Sequence, residues 1–187
     1  PILKTHDVSV VSGVDSASLL ERSVEDEMAA MQDHLILLKA LGSNVMVFAE
    51  VSGCVHGDQS VPLSQRPRMT QSQWEEYAKR MTAVADYMAS EGVKMAYHHH
   101  MGTVIETAEE VDKLMQMTGD NVGLLLDTGH ITFAGGNALA MAKKHAKRIV
   151  HVHCKEIRPA VLQDNLNRDS DFLNAVLDGV YTVPGDG

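Results

Sequence analysis

The chain has 187 residues, 44% of them apolar and only 4% aromatic, which is enough for one sizeable core. Sixteen Lys and Arg against 25 Asp and Glu leave a net charge of −9, which argues against nucleic acid or an anionic membrane as the main partner. No apolar run approaches the ~20 residues of a membrane span, and Cys54 and Cys154 have neither disulfide-framework nor zinc-knuckle spacing, so a cytoplasmic protein with reduced thiols is expected.

In chain order, the β-branched run Val8–Ser12 reads as a first strand closed by Gly13. Ser23 opens a helix, Met28, Met31, Leu35 and Leu38 form its apolar stripe as core filler, and Gly42 ends it. The strand 44–49 is apolar throughout, as suits a strand covered on both faces, and runs into Glu50. Residues 51–69 lack periodicity and carry Cys54, His56 and two Arg. Loops of that length usually cover substrates.

Thr70 and Gln73 form a capping box for a helix whose buried stripe is Trp74, Tyr77, Met81, Ala85 and Met88. Val93–Tyr97 then leads into His98, His99 and His100. Thr107 and Glu110 cap the next helix, and Val122–Leu126 is the cleanest buried strand, running into Asp127-Thr128-Gly129-His130. A Lys-rich helix over 138–145, a strand over 149–152 ending in His153-Cys154-Lys155-Glu156, a short helix over 169–177 and an extended piece at 180–183 complete the pattern.

Strand and helix alternate about five times, which predicts a parallel sheet: either an open doubly wound sheet or a (β/α)8 barrel. No phosphate-cradling GxGxxG or GxxxxGK[ST] follows any strand. Polar residues instead mark strand after strand at its C-terminal end: Glu50, His98 and His100, Asp127 and His130, His153 and Lys155. In a barrel these ends ring one mouth, where catalysis sits. A barrel needs about 250 residues, so 1–187 is expected to be a single, incomplete TIM-barrel domain whose ends look cut.

On a strand His98 and His100 share one face and His99 takes the other, which leaves His99 as structural. A carboxylate closing a buried strand needs a partner; for Asp127 that partner is a helix N-cap, an ion pair or a metal. Adjacent strands bring Asp127 and His153 together, and mixed imidazole and carboxylate donors suit Mn²⁺, Co²⁺, Fe²⁺ or Zn²⁺.

The stretches Y-H-H-H-M-G-T (97–103), L-L-L-D-T-G-H (124–130), V-H-V-H-C-K-E-I-R-P (150–159), V-P-G-D-G (183–187), F-A-E-V-S-G-C-V-H-G (48–57) and L-L-E-R-S (19–23) resemble the inosose dehydratases. These belong to the wider xylose isomerase-like group of sugar isomerases and epimerases. The resemblance implies strands three to seven of a TIM barrel and a lyase of inositol catabolism that dehydrates scyllo-inosose, a small polyol ketone, to a trihydroxycyclohexane dione. It also implies a divalent metal, Mn²⁺ or Co²⁺ foremost, with glutathione as an added family cofactor.

By the same resemblance the metal falls to Asp127 and His153, with a fourth ligand, a Glu, on a strand beyond Gly187. The remaining ligand position falls at His98, where relatives carry an acid. His98 could coordinate, His100 could, or both could stand behind the ligands. His130 matches a substrate-contacting histidine. The acid and base of the elimination come from His98, His100, His130, Lys155 and Glu50; Glu50, His56, His130 and Arg158 are the candidate substrate contacts. The alternatives are an isomerase or epimerase of the same group, or an inactive barrel fragment; a homo-oligomer is compatible with either.

Overall fold

The computed structural model describes residues 2–187; Pro1, where the expected domain begins, lies outside them. A short helix α1 (Ile2–Thr5) precedes the first strand β1 (Gly13–Ala17). That strand starts where the sequence pattern had it end. Gly13 serves close approach rather than a turn: a Cβ there would lie 2.3 Å from Nε2 of His34.

Ser23 caps α2 (Val24–Ala30) by accepting from the Asp26 amide, but the helix expected to run on to Gly42 breaks at Met31 and resumes as α3 (Gln32–Ala40). Then follow β2 (Val45–Glu50), the long α4 (Gln71–Ser90), β3 (Lys94–His98), α5 (Ala108–Met117) and β4 (Val122–Asp127). Both capping boxes form with reciprocal hydrogen bonds, Thr70 with Gln73 and Thr107 with Glu110.

Besides the short α1, two helices escaped the sequence reading. One, α6 (Thr128–Phe133), starts directly on Asp127; the other, α8 (Pro159–Asn167), begins at a proline, which suits a first helical turn. Between them lie α7 (Ala138–Lys144), β5 (Ile149–His153) and β6 (Glu156–Ile157). The last helix, α9 (Phe172–Leu177), starts later than expected, because Asp169 has φ +48° and cannot be helical; Asp171 is the cap. Finally β7 (Tyr181–Thr182) pairs antiparallel with β6.

β1 to β5 form one parallel sheet in sequence order, so each connection advances one strand in the same direction. Alternate residues divide the two faces. Met46, Phe48, Met95, Tyr97, Leu124 and Leu126 join the helices in the main core, while Val47, Ala96 and Leu125 form a small separate cluster on the other face. The helices therefore cover one face, as in a barrel wall. The sheet is open, with β1 and β5 at its edges. Among the described residues no helix is long and apolar enough to cross a membrane.

Candidate metal centre and active site

His98, Asp127 and His153 are the last residues of the three neighbouring strands β3, β4 and β5, and Asp127 pairs in register with His153. Asp127 is fully buried and its two oxygens have different work. Oδ1 accepts from the His130 amide at 3.0 Å and so caps α6. Oδ2 faces the cluster: His153 Nδ1 lies 3.4 Å away, His98 Nε2 and His130 Nε2 each 3.9 Å, and Lys155 Nζ is in direct contact. Cap, ion pair and candidate ligand thus fall on one side chain.

The ligating atoms of His98, Asp127 and His153 all lie within 4.8 Å of one another, and so do those of His98, His100 and His130. His98 is common to both groups, and its Nδ1 is buried without a partner. The His100 and His130 rings lie 3.9 Å apart, centroid to centroid. His100 Nδ1 is 2.8 Å from the Met101 carbonyl. A carbonyl only accepts, so His100 donates through Nδ1 and Nε2 is left as a lone pair. Burial holds all of these rings neutral: the His98 and His130 imidazoles are pulled far below the usual range, His100 to about 4, and His153 downward despite the Asp127 charge beside it.

The other sequence candidates divide. Lys155 sits on Asp127, and the His56 ring lies 5.0 Å from that of His100, at the margin of the cluster. Glu50 is buried, but its carboxylate accepts from the amides of Leu19 (2.8 Å) and Ser52 (2.9 Å), tying the β1–α2 connection to the end of β2. Arg158 donates to the Gly179 carbonyl, Thr182 Oγ1 and Asp186, which fastens the β6–β7 ribbon. His99 faces away from the cluster's first partners, fully buried, with neither ring nitrogen bonded.

The sequence reading missed two groups. Tyr181 on β7 places its hydroxyl 2.8 Å from His130 Nδ1; the extended piece at 180–183 was legible, but not its partner 51 residues earlier. The second is Arg66 in the long loop, buried between Glu106 (3.2 Å) and Glu110 (2.8 Å) and donating to the Thr103 carbonyl at 3.0 Å. Glu106 in turn accepts from the Gly102 amide at 2.7 Å. Together they pin the turn that follows the three histidines to the loop expected to cover substrate. Gly102 has φ +75°, and a Cβ there would meet the His56 backbone at 2.9 Å, so this turn requires glycine.

The profile of the xylose isomerase-like TIM barrel family matches residues 2–183. The rhizopine catabolism protein MocC of Rhizobium meliloti is 47% identical over 186 residues, covering 100% of this chain and 57% of that protein. Inosose dehydratases of Clostridium perfringens and Geobacillus thermodenitrificans are 35% and 37% identical over 187 residues, covering 99% of this chain and 63% of theirs. The chain spans about six tenths of the length of these relatives. Among solved structures, the probable 3-DHS dehydratase AsbF from Bacillus anthracis matches with a TM-score of 0.66 at 19% identity, over 84% of this chain and 54% of that one. The IOLI protein, solved with a zinc atom, matches at 0.58 and 20%, over 84% and 55%. These two likenesses concern the fold, and with the profile match they identify the chain as a member of the xylose isomerase-like TIM barrel family.

Proposed function

We propose that this chain carries the metal-binding wall of a lyase that removes water from scyllo-inosose, giving a trihydroxycyclohexane dione. One observation carries the reading: His98, Asp127 and His153 end three adjacent strands with ligating atoms within 4.8 Å, in a chain 35–37% identical to proteins named inosose dehydratase. Two imidazole nitrogens and one carboxylate oxygen fit a divalent transition metal, Mn²⁺ or Co²⁺ first and Zn²⁺ or Fe²⁺ next. When bound, the metal supplies a Lewis acid for the substrate carbonyl.

The chain's own groups supply the proton transfers. His130, held neutral by burial, takes the proton from the carbon beside the ketone through Nε2, and the C–H electron pair becomes the new C=C bond. The C–O bond on the next carbon breaks, and the departing oxygen takes a proton from the Lys155 ammonium and leaves as water. The resulting enol tautomerises to the dione. His100 Nε2 lies alongside His130 and is suited to orient a ring hydroxyl.

The test is loss of water from scyllo-inosose by the full-length protein, loaded in turn with each of the four metals. Asp127→Asn keeps the helix cap and removes the charge, and is expected to lose both metal binding and turnover. Epimerisation of a ketose without loss of water would overturn the reading in favour of an isomerase. A second substrate for the same assay is an intermediate of rhizopine breakdown, because the relative at 47% identity is named for that process.

A further inference from the structure

Tyr181 is a polar side chain in direct contact with a ring of the histidine cluster that neither the sequence pattern nor the scheme above employs. Its hydroxyl lies 2.8 Å from Nδ1 of His130, while Nε2 of the same ring points to Asp127 Oδ2 at 3.9 Å. Its ring is seated on Gly129: a Cβ at that position would lie 2.9 Å from the Tyr181 ring and 2.6 Å from Lys155 Cβ. The rings of Phe133 and Phe172 flank it at 6.0 and 6.2 Å. The strand that carries it is clamped from both sides by Arg158, whose amide donates to Val180 O at 3.0 Å and whose guanidinium donates to Gly179 O and Thr182 Oγ1, each at 2.8 Å. The hydroxyl is therefore aimed, not adventitious.

A neutral imidazole carries one proton, and which nitrogen holds it is set by the partner of the other. His100 donates through Nδ1 to a carbonyl. We propose that Tyr181 is the positioning residue of His130: its oxygen accepts from Nδ1–H and leaves Nε2 bare to take the substrate proton. The same hydrogen bond survives when the ring becomes an imidazolium, and then it is charge-assisted and stronger. The inference rests on the elimination proposed above for its kinetic consequence, but not for its structural one.

Tyr181→Phe in the full-length protein separates the two. Loaded with diamagnetic Zn²⁺, the wild-type protein should show His130 ¹⁵N shifts of an Nδ1-protonated ring, and Y181F should shift towards Nε2 protonation. Turnover of scyllo-inosose should fall about 10–100-fold in kcat, as expected for losing the partner of a working histidine, with KM and metal affinity little changed. A tyrosine that merely packs would be served fully by Phe. Wild-type shifts reporting Nε2–H, or a Y181F protein with unaltered tautomer and kcat, would overturn the proposal. Incorporating 3-fluorotyrosine at 181 keeps ring and hydroxyl and should restore both readouts; failure to do so counts equally against it. If the wild type does not dehydrate scyllo-inosose, the functional reading falls, while the ¹⁵N shifts still decide the role of Tyr181.

Discussion

In the proposed centre, Lys155 and a divalent metal would compete for one atom, Asp127 Oδ2. Replacing Lys155 by Met keeps the stem and removes the ammonium. A hydrogen bond between charged groups contributes ~1.5–3 kcal/mol. The Lys155 side chain is 34% exposed, and solvent screening reduces the expected value to ~1–2 kcal/mol. Because the ammonium stabilises the protein only while it holds Oδ2, its removal should tighten metal binding by that amount, about 5–30-fold. The metal-free protein should lose the same ~1–2 kcal/mol, a fall in Tm of about 2–8 °C that added metal abolishes. Calorimetric titration of K155M with Mn²⁺ or Co²⁺ measures the first effect and thermal melts with and without metal the second. Unchanged or weaker metal affinity in K155M would refute the competition and detach Lys155 from the centre.

Three further outcomes follow from buried contacts. His99 is fully buried with its ring unbonded, and burial pulls it from the usual ~6.5 to about 4. Its contribution is therefore present above pH ~6.5 and lost as pH falls towards 4, a swing of about 3 kcal/mol that His99→Leu should remove from denaturant melts taken across that range. Arg66→Met leaves Glu106 and Glu110 facing each other without their cation and should cost about 3–5 kcal/mol in equilibrium unfolding; a loss below 1 kcal/mol would mean that the clamp is idle. Gly129→Ala puts a methyl group against Lys155 and Tyr181 and should cost about 1–3 kcal/mol, with a kcat loss in parallel, whereas a wild-type Tm would show that β7 yields freely.

What the sequence reveals and what it hides divide by the range of the interaction. Thr70 with Gln73 and Thr107 with Glu110 are legible because a capping box is complete within four residues. The strand ends His98 and Asp127 are legible because buried apolar runs stop on polar side chains, and His153 because the short strand of mostly β-branched residues before it stops there too. Glu50 looks the same by that criterion, yet its carboxylate serves amides 31 residues before and two after it. Nothing in a pattern of periods two and 3.6 distinguishes a carboxylate that binds backbone from one that binds substrate. Gly13 illustrates the converse. It reads as a terminator, but the crowding that demands glycine comes from His34, on a helix two elements later. The Arg158 and Tyr181 contacts belong to a two-stranded ribbon too short to carry any periodic signal.

The position of Asp127 explains why fold and chemistry cannot be separated in this segment. Ending β4 on a carboxylate fixes its height at the strand mouth, and capping α6 with Oδ1 fixes the turn that follows. That turn brings His130 back over the same carboxylate, with Nε2 3.9 Å from Oδ2 and Nδ1 against Tyr181. Four residues thereby hold a buried carboxylate and an imidazole in a set mutual geometry. Gly129 allows Lys155, just after β5, and Tyr181, on β7, to approach the same turn. His98 at the end of β3 and His100 just beyond it enter from the neighbouring strand, and the Arg66 clamp fastens the turn that follows them. Strands and caps hold the carboxylate and the imidazoles in place, and the partly exposed Lys155 side chain is the partner that a metal in the proposed centre would displace.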